Sequence, residues 1–190
     1  MRLAGGQDVV VARGLLQVGD ASTLLAQYGN TSLKDASAQA DLKTSLSTAF
    51  AAQREMDKAR SAAGDALTAV PGYPPAIVMM ARIRAASNDL DGAIKLLDEA
   101  LATEPGNASA GILKGDLLLN GKSDTEAALA AYRTVLKAQP TSVAAASSIA
   151  SLLLRQGKLE EARAEVESLK KTAPRHPETL FLEAQIAFND

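Results

Sequence analysis

The chain has 190 residues, a formal net charge of −2, no cysteine and one histidine. That excludes disulfides, thiolate metal sites and His-rich metal centres, and leaves no bulk electrostatic case for nucleic acid or anionic lipid. Hydrophobic residues make up 47 %, aromatics only 3 %, and tryptophan is absent, so a core must be built from Ala, Leu, Ile and Val in closely approaching helices rather than around an aromatic pocket.

Residues 1–6 carry no apolar h-region, so no signal peptide is expected, and the chain is expected to begin and end inside repeats as a piece of a longer protein. No apolar run reaches the roughly 18 residues needed to cross a bilayer. Residues 7–35 read as a degenerate helix pair, 8–18 and 21–28, followed by a loop at 29–32 and a helix from about Lys34. From there the sequence repeats. Pro71, Pro105, Pro140 and Pro174 lie 34, 35 and 34 residues apart, each closing an Ala/Leu-rich helical run. That period is the mark of stacked helix–turn–helix units sharing one continuous core.

The units are expected at 40–73 (weak), 74–107, 108–142 and 143–176, with 177–190 the first helix of a further one; together with 7–35 they form a single solenoid over 1–190. In 74–107, Pro74 and Pro75 suit a first helical turn, Ser87-Asn88-Asp89 breaks the helix, and a second runs from Leu90 to the stop at Pro105-Gly106. The turn 120–124 is expected to hold the one residue inserted in 108–142. Small residues at Ser47, Ala81, Gly115, Ala150 and Ala184, and at Ala59, Ala93, Ala128 and Ala162, are expected where helices approach closely. Leu97, Tyr132 and Val166 fill the space between units.

A small residue eight places in, Ala at twenty, a bulky residue at twenty-four and Pro at thirty-two is the frame of the tetratricopeptide (TPR) repeat, which the chain resembles over 40–190 and more loosely over 7–39. The usual early aromatic is missing; Ile77, Gly111 and Ala146 stand there. The resemblance implies an all-α fold, a right-handed α-solenoid of antiparallel helix pairs, whose first helices line a concave groove. Carried over residue by residue, it places in that groove Val78, Met79, Arg82 and Ala85, then Ile112, Leu113, Asp116 and Leu119, then Ser147, Ser148, Ser151 and Leu154, then Phe181, Leu182 and Gln185. The Lys/Asn/Arg clamp of chaperone-binding TPR proteins is not reproduced.

The stretches 113–119 (Leu-Lys-Gly-Asp-Leu-Leu-Leu), 130–133, 153–158 and 173–177 are also similar to long TPR lipoproteins associated with exosortase/PEP-CTERM protein sorting and exopolysaccharide export in Gram-negative bacteria. That resemblance implies a periplasmic or outer-membrane-anchored full-length protein. Composition alone fits the cytoplasm equally well.

Other motifs read as structure. His176 is a linker residue in an inter-unit turn, and Gly121-Lys122-Ser123 follows an apolar helix rather than a strand and Gly-rich loop, so it is a turn and not a phosphate site. The sequons at Asn30 and Asn107 read as loop and helix start. The acids at Glu160 to Glu167 followed by Lys170 and Lys171 form a solvated face, with a pair expected between Glu167 and Lys171.

The function expected is a non-enzymatic interaction scaffold that binds a peptide or protein segment in the groove, without cofactor, metal, nucleic acid or membrane insertion. The alternatives are a structural spacer, or a cytoplasmic adaptor whose effector domain lies elsewhere. End-to-end self-association is expected through 177–190, where Leu180, Phe181, Leu182, Ile186 and Phe188 point several ways around one helix.

Overall fold

Short polar side chains set the helix starts. Asp20, Asp35, Asp89, Asn107, Asp124 and Ser142 each accept a hydrogen bond from the backbone N–H three residues on, which satisfies an orphan donor of the first turn. The computed structural model describes residues 6–188. They form α1 (Gly6–Gln17), α2 (Ala21–Tyr28), α3 (Ala36–Ala52), α4 (Met56–Ala69), α5 (Pro74–Ala86), α6 (Leu90–Thr103), α7 (Ala108–Asp116), α8 (Thr125–Ala138), α9 (Val143–Arg155), α10 (Leu159–Thr172) and α11 (Pro177–Phe188). The fold is all-α, made of helix pairs stacked as in an α-solenoid. Because Asp35 caps α3, that helix begins at Ala36 and not near Lys34.

Every turn inside a pair closes on one left-handed residue: Gly19, Arg54, Asn88, Ser123 and Gly157. Three of these are not glycine, so the device is invisible to a search for Gly and Pro, yet its spacing repeats the 34–35-residue period. The residue inserted in 108–142 is handled differently from the expectation. α7 runs on into a π-helical turn, Leu117–Gly121, which absorbs it within the helix through wider i→i+5 bonding; the loop takes none of it.

Two units divide the chain, 1–100 and 101–190, the boundary falling inside α6. In the N-terminal unit α3 packs on α4, α1 and α5, and α2 and α4 form the other layer. Its cores gather Ala12, Leu24, Leu42, Leu46 and Ala49 around α3, and Ala59, Ala63, Met79 and Ile83 between α4 and α5. In the C-terminal unit α9 packs against α7, α8, α10 and α11, with Ala146, Ala150, Val166, Leu169, Leu182 and Ile186 in the core. Each buried Leu or Ile contributes about 1.5–3 kcal/mol.

The small-residue frame has a direct geometric cause. Ala59, Ala93, Ala128 and Ala162 are fully buried, as are Ala81 and Ala150. Ser47 fills the equivalent place in 40–73 and its hydroxyl donates to the Ala59 carbonyl at 2.7 Å. A Cβ on Gly115 would run into the Tyr132 ring, and one on Gly111 into Val135 Cγ2, so these glycines let α8 lie against α7. Ala184 departs from the expectation: it is not buried, because among the described residues nothing closes over that side of α11. On the same helix Leu180, Phe181 and Phe188 are 53 %, 61 % and 90 % exposed, while Leu182 and Ile186 are buried.

Candidate functional site

In the C-terminal unit the first helices α7, α9 and α11 share one layer, and a cleft of ≈ 330 Å³ opens on it. Asp116, at the end of α7, and Leu119 and Asn120, on the π turn, form one wall. Ser147, Ser148, Ser151, Leu152 and Arg155 of α9 form the floor, and Glu178, Phe181 and Leu182 of α11 the far wall, with Tyr132 of α8 beneath.

Its charged groups fall into two sets. Asp116 accepts a hydrogen bond from the Tyr132 hydroxyl at 2.7 Å. Burial, reinforced by Asp116 as acceptor and as a negative charge, pushes the Tyr132 pKa up, while the Arg155 charge pulls it back. Glu178 accepts from Ser147, tying α11 to α9. Both carboxylates are thus engaged in holding the walls together. Among the described residues the Ser148 and Ser151 hydroxyls, the Asn120 amide and the Arg155 guanidinium have no hydrogen-bond or ion-pair partner. All can donate, and exposed Phe181 lies among them.

Seven residues expected in the groove meet here: Asp116, Leu119, Ser147, Ser148, Ser151, Phe181 and, at its buried base, Leu182. Met79 and Arg82 line a separate cleft in the N-terminal unit. The remaining expectations need correcting. Val78 and Leu113 are buried, Leu154 packs against the core cluster of Ala150 and Val166, and Ile112 and Gln185 are half-buried outside the cleft. The reason is crowding. α9 has helices against it on four sides, which leaves about one free position per turn rather than the wide face the expectation assumed.

Sequence reading missed Asn120, Tyr132, Arg155 and Glu178 as lining residues. For Tyr132 the signal was present: opposite Gly115, the one aromatic side chain of α8 had to direct its hydroxyl somewhere. Elsewhere the reading changes in detail. Lys170, not Lys171, pairs with Glu167 at 3.0 Å, and it also reaches Glu183 of α11 at 2.9 Å. His176 Nδ1 accepts from the Glu178 N–H at the start of α11. Among the described residues no three His, Cys, Asp or Glu side chains are grouped to hold a metal, and no helix is long and apolar enough to cross a membrane.

Stacked helix pairs with this frame define a helical-repeat protein, and the comparisons give the family. Two family models, both described as tetratricopeptide repeat, match residues 78–143 and 117–186. The chain belongs to the tetratricopeptide repeat family, whose repeats mediate protein–protein interaction. It is 29 % identical over 140 residues to cellulose synthase operon protein C of Pseudomonas fluorescens (strain SBW25), covering 70 % of this chain and 11 % of that protein. It is 30 % identical over 143 residues to human (Homo sapiens) tetratricopeptide repeat protein 21A, covering 73 % and 11 %. The chain thus spans about a tenth of the length of these curated relatives. Among solved structures it is similar in fold to TTC0263, a thermophilic TPR protein of Thermus thermophilus (TM-score 0.72, 18 % identity, 97 % of this chain and 98 % of that one). YrrB, described as a TPR protein with an unusual peptide-binding site, is similar at TM-score 0.59 and 17 % identity, covering 93 % and 90 %.

Proposed function

We propose that this chain is a non-enzymatic scaffold that holds an extended peptide or protein segment on the α7/α9/α11 layer. The observation that carries the reading is the pairing pattern in the cleft. Its acids are engaged in the walls, while its unpaired groups are donors placed around an exposed Phe. Peptide carbonyls supply the acceptors such donors need, and an apolar side chain of the segment covers Phe181. The likeness to a protein named for a cellulose synthase operon, together with the lipoprotein resemblance in the sequence, supports work in a bacterial envelope system for polysaccharide export or protein sorting. The full-length protein would then be periplasmic or outer-membrane-anchored. A match of similar identity to a human repeat protein is the ground for a second reading, an adaptor outside any bacterial envelope system.

The test is capture of partners from the native cell by the tagged chain. Phe181→Ala and Ser151→Arg should reduce recovery of the specific partner at least about ten-fold, as central anchors do, and Glu161→Ala on α10 should not. Asp116 is unsuitable for this test because its loss also frees Tyr132. Equal recovery by all variants would refute the cleft. Fractionation of the full-length protein decides the compartment.

A further inference from the structure

The N-terminal unit has a cleft of its own, of ≈ 460 Å³, and its chemistry is different. Ala51 and Ala52 of α3, Met56 of α4 and Met79 and Ile83 of α5 give it walls of methyl, methylene and thioether groups. Thr48 adds no free polar atom, since its hydroxyl bonds the Thr44 carbonyl at 3.0 Å and lies 3.7 Å from Met79 Sδ. Met56 is 36 % exposed at the opening, and methionine adapts to apolar partners of different shape. The one charged lining residue is Arg82, which is exposed.

Four acids of the N-terminal unit on α4 or beside α4 and α5 in sequence are already paired. Glu55 pairs with Lys58, Asp57 with Arg60 at 3.6 Å, Asp65 with Lys43 at 3.6 Å and Asp89 with Arg84 at 3.3 Å. Among the described residues Arg82 has no carboxylate partner. A cation without a carboxylate partner, on the lining of an apolar cleft, is complementary to an apolar group carrying an anion beside it.

We propose that this cleft is a second docking site, which takes a Leu- or Phe-sized side chain of a partner peptide whose neighbouring Glu or Asp pairs with Arg82. The site is independent of the C-terminal cleft and selects acidic, apolar segments.

Two fluorescein-labelled peptides test it, sharing a Leu-Leu core and flanked by Glu in one and by Lys in the other, titrated against the full chain by anisotropy. The Glu peptide should bind about five- to ten-fold more tightly at low salt, and the preference should shrink as salt screens the pair. Arg82→Glu should reverse the preference, and Ala52→Trp, which fills the cleft from an exposed position, should abolish binding of both. Glu161→Ala on α10, which lines neither cleft, should change neither titration. Absence of binding by both peptides, an unchanged preference in Arg82→Glu, or binding to phosphatidylglycerol vesicles in place of the peptides would overturn the proposal. Circular dichroism of each variant confirms that helix content is retained.

Discussion

The two clefts are built on the same register and end up chemically opposite. Arg82 and Asp116 stand 34 residues apart at matching places in α5 and α7, yet Arg82 is unpaired at the edge of an apolar cleft while Asp116 is bonded to Tyr132. The difference comes from what lies beneath. In the C-terminal unit Gly115 admits the Tyr132 ring, whose hydroxyl then claims the acid. In the N-terminal unit Ala81 stands in the place of Gly115 and buried Leu97 in the place of Tyr132, and neither carries a polar group to claim Arg82. A repeat frame therefore fixes where a side chain stands; the residue packed under it decides whether it is available to a partner.

The sharpest way to break the contrast is Gly115→Ala. The added methyl must displace the Tyr132 ring, and the C-terminal unit should lose about 2–3 kcal/mol, seen as a lower urea midpoint. Gly64→Ala in α4 is the matched control: nothing lies within 4 Å of its Cβ, and it should gain about 0.5–1 kcal/mol from helix propensity.

Tyr132→Phe should cost about 1–2 kcal/mol through the lost bond to a carboxylate and should leave Asp116 free, which makes the C-terminal cleft more acidic. The same logic predicts a pH dependence. Burial, with Asp41 as acceptor, pushes Tyr73 up to about 12, and Tyr132 is raised too. Their folded pKa values exceed the unfolded value of about 10, so their contribution is complete below that pH. It is lost as pH rises from about 10 through 12. Tyr73→Phe and Tyr132→Phe should each flatten alkaline denaturation followed by circular dichroism.

Gly157→Ala places a Cβ in the left-handed region at φ 72° and should cost about 1 kcal/mol; Ser123→Gly should gain a fraction of that. Neither touches a cleft, so peptide binding should not move. The smallest effect is expected from Glu167→Ala. Its pair with Lys170 is exposed and screened by solvent, and Lys170 keeps Glu183. Calorimetric melting measures both.

How much was legible follows from the range of the interactions. The breaks at Ser87-Asn88-Asp89 and Gln156-Gly157-Lys158 and the stop at Pro105 were readable because backbone geometry is a local property. The fully buried Ala59, Ala93, Ala128 and Ala162 were readable because close helix approach demands small residues at a fixed period. The π turn was not readable, since an inserted residue can be absorbed in a helix or in a loop and the spacing is the same. Val78 and Leu113 were misplaced because burial depends on neighbours from other pairs, which the frame alone does not count. Arg155 and Glu178 joined the site only through the approach of α9 to α11, a contact between residues 23 apart in sequence.

The central claim is that partners contact the α7/α9/α11 layer of the C-terminal unit. It is tested most directly by a photo-crosslinking amino acid placed at position 151 in one sample and at position 161 in another, within the full-length protein in its native cell. The account predicts a discrete crosslinked partner from 151, lost on Phe181→Ala, and none from 161. The same partner from 161, with none from 151, would contradict it.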